Sequence, residues 1–195
     1  KGLHGELPET LKPGAPESEH FRSYLLAENR TAAEAAAEKA RELGITPLIL
    51  TTELSGEARQ AGNFLSAILA ELRREPSFLP KPALVIAGGE TTVTLKGNGK
   101  GGRNLETALG AVQALSGMER VLLVTLATDG EDGPTDAAGA VVSSETCRRG
   151  LEAGLNPESF LEHNDAYNYF DKNGGMIRTG VTGTNVNDLS FLFAF

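Results

Sequence analysis

The sequence predicts a three-layer α/β/α fold built on a mostly parallel, Rossmann-like sheet. Three observations carry this expectation. Continuous apolar runs of strand length recur at 47–52, 83–87 and 121–126. Segments with a helical apolar period separate them. Polar, glycine-rich loops lie beside these runs and do not interrupt them. Strands that alternate with helices imply parallel neighbours, since each crossover helix returns the chain to the same end of the sheet. Ligands of such sheets bind beyond the carboxyl ends of the strands.

The opening segment, residues 1–30, reads as a linker and the end of an upstream domain. Its first twenty residues hold three prolines and no periodic apolar face, and the chain starts on Lys1. The α/β domain is expected over 31–195, with a subdivision allowed near 76–82. Residues 22–27 are a short apolar run, expected as a strand. Thr31 and Glu34 have capping-box spacing and open an alanine-rich helix that Gly44 can stop. Residues 47–52 are the next strand. Ala61, Phe64, Leu65, Ile68, Leu69 and Leu72 recur at helical spacing, and Pro76 ends that helix. Residues 83–87 form an unbroken apolar run, as in a strand covered on both faces. Val93–Leu95 are expected to add a short strand. A helix starts near Asn104, with Leu105, Ala108, Leu109, Val112 and Leu115 on its buried face. Residues 121–126 are a further buried strand. Helices near 144–153 and 165–172 and a last strand over 189–195 complete the order.

Composition bounds the function. The 195 residues are 40% hydrophobic and only 6% aromatic, without tryptophan, so the core is aliphatic. The net charge of -8 argues against a nucleic-acid surface, which needs a basic stripe. It leaves room for a small anionic ligand held by local donors. One cysteine, Cys147, excludes an internal disulfide and fits a reducing, cytoplasmic compartment. No run approaches the roughly 20 apolar residues of a membrane span. The three histidines, His4, His20 and His163, are dispersed and set up neither a zinc site nor a catalytic triad. Oligomeric state is left open, a homo-oligomer included.

Three loops could carry chemistry. The first, Lys96–Asn104, has four glycines, Lys96, Lys100 and Arg103, and runs into a helix N-terminus. Exposed N–H groups and positive charge make it a candidate cradle for phosphate or carboxylate. Gly97, Gly99 and Gly102 match G-x-G-x-x-G, but a dinucleotide site also needs an acidic residue at the end of the next strand, about 20 positions on. Glu119 precedes its strand and Asp129 lies too far along. Lys100 is followed by Gly101, so the loop lacks the Ser or Thr of a Walker A motif. The second loop, Ala127–Asp136, gathers Asp129, Glu131, Asp132 and Asp136. Converging carboxylates repel one another unless a cation compensates, and Mg²⁺ with nucleotide phosphates is the usual one. Gly133 breaks the EF-hand pattern. The third loop, Thr179–Asp188, concentrates hydroxyl and amide groups suited to a ribose, a phosphate or a hydroxy acid. Each loop also has a plain reading as a flexible connection or tight turn.

The segments GGETTVTLKGNGKGGRNLE, ATDGEDGPTDAAGA and TGTNVNDL, in this order, resemble the C-terminal MOFRL region of class II glycerate kinases. ENRTAAEAAAEKARELG and LSGEARQAG resemble the segments that precede it in that family. The likeness covers nearly the whole chain, and its ordered motifs are more specific than any single loop. It implies a MOFRL-type domain that helps transfer the γ-phosphoryl group of ATP, with Mg²⁺, to the 2-hydroxyl of D-glycerate. It also implies an N-terminal domain, with a lysine thought to be catalytic, across a cleft from this one. This chain would then be incomplete and inactive alone.

Under that resemblance the residues take roles. Arg103 would clamp a carboxylate or the transferring phosphoryl oxygens. Lys100, Gly101, Gly102 and Asn104 would line the anion. Asp129 or Asp132 would hold Mg²⁺. Asp136 would orient the acceptor hydroxyl or act as its base. Thr184, Asn185, Asn187 and Asp188 would form the opposite wall, and Glu90 would point into the same crevice. Leu105 departs from the family's R-N-Q-E and would remove one polar contact. Two alternatives compete: a non-catalytic nucleotide- or metabolite-binding domain, and an NAD(P)H-dependent hydroxypyruvate reductase, a historical label in this family.

Overall fold

The computed structural model describes residue 22 and residues 24–195. The linker over 1–21, with His4 and His20, lies outside the described residues, as does Ser23. Twelve elements follow in order: α1 (Asn29–Glu42), β1 (Thr46–Leu54), α2 (Ala58–Arg73), β2 (Ala83–Gly89), α3 (Arg103–Val112), β3 (Val121–Ala127), β4 (Gly139–Ser143), α4 (Ser144–Glu152), α5 (Pro157–Glu162), α6 (Ala166–Asn173), β5 (Met176–Ile177) and β6 (Asp188–Ala194).

The layers are those expected from the sequence. Strand β2 is buried along its whole length. Leu84 and Ile86 pack with Ala33, Ala37 and Ala40 of α1 on one face. Ala83, Val85 and Ala87 pack with α2 and α3 on the other. That alternation explains the unbroken apolar run: a strand covered on both sides has no polar face to show. Helices α2 and α3 cross at glycines. A Cβ on Gly62 would strike the Thr107 carbonyl, and one on Gly110 the Arg59 carbonyl.

The sheet order is β1-β2-β6-β3-β4-β5. Strands β1, β2, β3 and β5 point one way, while β6 and β4 run against them. Most strands are thus co-directional, yet β1–β2 is the parallel ladder and the other four pairings are antiparallel. The C-terminal strand inserts between β2 and β3, which separates strands that a simple βαβ alternation would place side by side. Residues 76–82, where the sequence allows a subdivision, lie between α2 and β2, and strands from both sides of them share one sheet.

Several local expectations need correction. Residues 24–28 form no strand, and Leu25 and Leu26 are exposed, because no neighbouring strand among the described residues completes their hydrogen bonding. Helix α1 is capped three residues before the expected cap, Thr31. Glu28 takes the capping position, and its N–H donates to Thr31 Oγ1 at 3.3 Å. The earlier start buries Asn29, whose amide donates to the carbonyls of Val186 (2.8 Å) and Asp188 (3.0 Å). Gly44 ends this helix at φ 74°, as expected. Val93–Leu95 form no strand; a single bridge joins Thr92 to Glu57 and the chain then leaves the sheet. Strands β4 and β5 and helix α5 were not anticipated.

Candidate active-site cleft

Sheet register brings the three loops together. Gly89, the last residue of β2, and Ala127, the last of β3, both pair with Asp188, the first of β6. The segment after β2, the acidic loop after β3 and the polar loop before β6 therefore meet at one end of the sheet. The antiparallel insertion of β6 makes this possible, since it delivers the start of one strand to the ends of two others. A cleft of about 550 Å³ opens there. Its walls include Gly101, Gly102, Arg103, Glu106, Asp129 and Asn164.

Arg103 is the first residue of α3 and the cation of the cleft wall. Its Nε lies 3.1 Å from Asp188 Oδ2, and its Nη1 bonds Glu90 Oε1. Two carboxylates thus hold the guanidinium, Asp188 at Nε and Glu90 at Nη1. Nη2 makes no hydrogen bond among the described residues, so its donors remain for a ligand oxygen. Asp188 is nearly buried. Burial raises its carboxyl above the usual carboxylate range, against the Asn104 amide and the Arg103 guanidinium. Among the described residues its Oδ2 has no hydrogen-bond partner, leaving the ion pair with Arg103 as its main compensation.

Asp132 is turned toward the start of α3. Its Oδ1 accepts the Asn104 N–H at 2.9 Å and the Asn104 side-chain amide at 3.3 Å, and its Oδ2 accepts the Leu105 N–H at 2.8 Å. This buried carboxylate caps helix α3 from a distant loop. Burial pushes its pKa up to about 6, against the pull of those N–H groups. Both oxygens are spent inside the protein. Asn104 is likewise turned inward. Leu105 is fully buried in the core, so this position faces away from the cleft.

Asp129 is the carboxylate of the acidic loop better placed for a cation. It lines the cleft, with Oδ1 accepting the Glu131 N–H (3.1 Å) and Oδ2 the Asn185 amide (2.9 Å). Among the described residues no group of three or more His, Cys, Asp or Glu side chains could hold a metal by itself. One carboxylate suits Mg²⁺ that arrives on phosphate oxygens and keeps its waters.

Thr184, Asn185 and Asn187 shape the third loop and lock it to the second. The Thr182 N–H donates to the Asp129 carbonyl at 2.9 Å, and Thr128 Oγ1 donates to the Asn187 carbonyl at 2.7 Å. The Thr184 N–H meets Thr182 Oγ1 at 3.3 Å, and Asn187 sits at φ 65°, a conformation asparagine tolerates.

Asp136 and Lys100 belong to a second cluster that the sequence did not disclose. Asp136 Oδ1 accepts the Tyr167 hydroxyl at 2.7 Å, and Oδ2 accepts Arg178 Nε at 2.9 Å. These contacts, Tyr167 first, hold its carboxyl below the usual range. Lys100 Nζ sits 3.8 Å over the Tyr167 ring. Tyr167 and Arg178 come from segments far from Asp136 in sequence, so no spacing could have flagged them.

The glycine loop is not the open cradle that its composition suggests. The Lys96 and Gly97 N–H groups donate to Asn164 Oδ1 at 2.7 and 2.9 Å. The Gly99 N–H donates to the His163 carbonyl, and the Lys100 N–H to Asp165 Oδ1, each at 2.9 Å. Side chains on Gly97 and Gly99 would collide with residues 163–165, and one on Gly102 with Asp132. The glycines let the loop approach its own protein. The N–H groups of Gly101 and Gly102 make no hydrogen bond among the described residues, and both residues line the cleft. Of the G-x-G-x-x-G glycines, Gly97 and Gly99 thus spend their N–H groups on the protein itself. His163 is an exposed side chain whose backbone does the work, and Cys147 is buried.

The comparisons with known proteins agree with this geometry. The MOFRL family model matches residues 83–188, which contain the cleft from β2 to the start of β6. A Pyrococcus horikoshii protein named glycerate 2-kinase is 43% identical over 190 residues, 97% of this chain and 42% of that protein. An Agrobacterium vitis protein named for hydroxypyruvate reductase is 40% identical over 85% of this chain and 38% of its own length. The crystal structure of a Thermotoga maritima glycerate kinase superposes with a TM-score of 0.86 at 45% identity, over 88% of this chain and 42% of that one. The chain thus spans about two fifths of the length of these relatives. With its motifs matched over more than half its length and its fold shared, the chain belongs to the MOFRL family.

Proposed function

We propose that this chain forms one wall of a glycerate 2-kinase site, which transfers the γ-phosphoryl group of ATP to the 2-hydroxyl of D-glycerate and yields 2-phosphoglycerate and ADP. The observation that carries the proposal is Arg103. Its guanidinium is pinned at Nε by Asp188 and at Nη1 by Glu90, its Nη2 makes no hydrogen bond among the described residues, and the residue lines the cleft with Asp129, Gly101 and Gly102. Phosphoryl transfer asks a protein for position and charge neutralisation more than for covalent help. Arg103 supplies both, at a fixed angle and without having to find its rotamer on binding.

Each remaining residue has a part. The Gly101 and Gly102 N–H groups would meet phosphate or carboxylate oxygens. Asp129 would hold Mg²⁺, which when bound neutralises charge on the transferring phosphate. Asp132 fixes the start of α3, and with it the base of Arg103. Asp188 and Glu90 hold the guanidinium. Asn104, Thr184, Asn185 and Asn187 support the wall. Asp136, held by Tyr167 and Arg178 with a lowered pKa, is a poor proton acceptor. We assign it, with Lys100, to the frame behind the cleft. The opposite wall, including the base, would come from the part of the longer relatives that this chain does not span, so little turnover is expected from the chain alone.

The test is product identity. The complete polypeptide, given Mg-ATP and D-glycerate, should yield 2-phosphoglycerate by ³¹P NMR and should not oxidise NAD(P)H with hydroxypyruvate. NAD(P)H-dependent turnover without phosphoryl transfer would overturn the proposal.

A further inference from the structure

The chemistry that shapes the glycine loop lies outside it, at Asn164 between α5 and α6. Asn164 is buried and sits at φ 53°, in the left-handed region. Its side chain is fully used. Oδ1 accepts two successive N–H groups, from Lys96 at 2.7 Å and Gly97 at 2.9 Å. Nδ2 donates to the Thr94 carbonyl at 3.3 Å and to Glu106 Oε2 at 3.1 Å. Glu106 is itself buried on α3, and its Oε1 is taken by Arg59 Nη2 at 2.6 Å and Nε at 2.8 Å. The amide can point only one way. An ionised carboxylate only accepts and backbone N–H groups only donate, so a flipped Asn164 would lose all of these bonds.

The chain of contacts Arg59–Glu106–Asn164 thus fixes which face the amide turns to the loop. Asn164 and Glu106 also line the cleft, but neither is needed there as a ligand group, because each is already satisfied. We propose that Asn164 is a positioning residue: oriented by Glu106, it sets the backbone of Lys96–Gly97 and so delivers Gly101, Gly102 and Arg103 to the cleft. The packing of Gly97 and Gly99 against residues 163–165 supports this, since the loop has been shaped to that turn. The functional half of the proposal rests on the cleft being a phosphoryl-transfer site; the structural half does not.

Two readouts on the complete polypeptide separate them: amide exchange of the segment around Lys96–Gly97, and kcat and KM for Mg-ATP and D-glycerate. Asn164→Ala should speed exchange at these amides and lower kcat/KM, each by at least about tenfold, as for a lost buried acceptor. Asn164→Asp should also fail, because it sets a carboxylate against Glu106. The pair Asn164→Asp with Glu106→Gln reverses donor and acceptor between these two side chains while keeping one negative charge, and should recover part of both losses, since the Thr94 carbonyl still lacks its donor. A merely space-filling asparagine would show no such rescue. Unchanged exchange in Asn164→Ala, or a double variant no better than Asn164→Asp, would overturn the proposal. If the wild type transfers no phosphoryl group, the kinase reading fails and the exchange results still decide the role of Asn164.

Discussion

At the scale of single residues, the site depends on carboxylates that the protein consumes internally. Asp132 shows the principle. A buried carboxylate is costly, and three hydrogen bonds to the start of α3 offset that cost without removing it, so its pKa rises to about 6. A group whose folded pKa is raised favours folding most when protonated. Its contribution is full below the unfolded value near 3.8 and is lost as pH rises through about 6. Asp132→Asn should therefore abolish a fall in stability between pH 4 and pH 7 that the wild type shows, measured as urea midpoints across that range. Parallel pH profiles for the two proteins would refute this account of Asp132. Asp132→Ala should cost about 1–2 kcal/mol at pH 7, the scale of a lost helix cap. From sequence, Asp132 looked like its neighbour Asp129. Only the fold shows that one faces α3 and the other the cleft, because the difference is set by a helix 27 and 28 residues away.

At the scale of elements, periodicity disclosed what depends on local burial and missed what depends on partners. Helix α2 and strand β2 were legible, since their apolar patterns record the faces that cover them. Residues 24–27 are apolar as well, yet they pair with no strand among the described residues. Strands β4 and β5 were missed because five and two residues carry little pattern. The direction of β6 was not legible either, since strand direction is a property of chain path. The glycines followed a similar division. Their abundance in the first loop was plain, but their reason was not: Gly97, Gly99 and Gly102 make room for residues 163–165 and Asp132. Gly62 and Gly110 make room for the α2–α3 crossing, and backbone cannot yield there as a flexible side chain would. Gly110→Ala should destabilise by about 1–3 kcal/mol, as overpacking does, seen as a lower urea midpoint with an unchanged m-value. A neutral effect would show that the crossing can open without cost.

At the scale of the molecule, one antiparallel strand organises the site. By entering between β2 and β3, β6 brings Asp188 beside the ends of both, and three loops distant in sequence become one wall. The ordered motifs pointed to these loops, and register explains why they belong together. The second cluster, Asp136–Tyr167–Arg178 with Asp171, ties the acidic loop to α6 and the segment after it, and so stiffens the wall from behind. Among the described residues no helix is long and apolar enough to cross a membrane. In the proposed reaction Arg103, held by Asp188 and Glu90, neutralises charge during phosphoryl transfer. The most direct test is steady-state kinetics of Arg103→Ala in the complete polypeptide with Mg-ATP and D-glycerate. The expected result is a fall in kcat of about 10²–10³, the scale of removing one preorganised donor to a developing charge, with the fold intact by circular dichroism. A folded Arg103→Ala enzyme with wild-type kcat would contradict it.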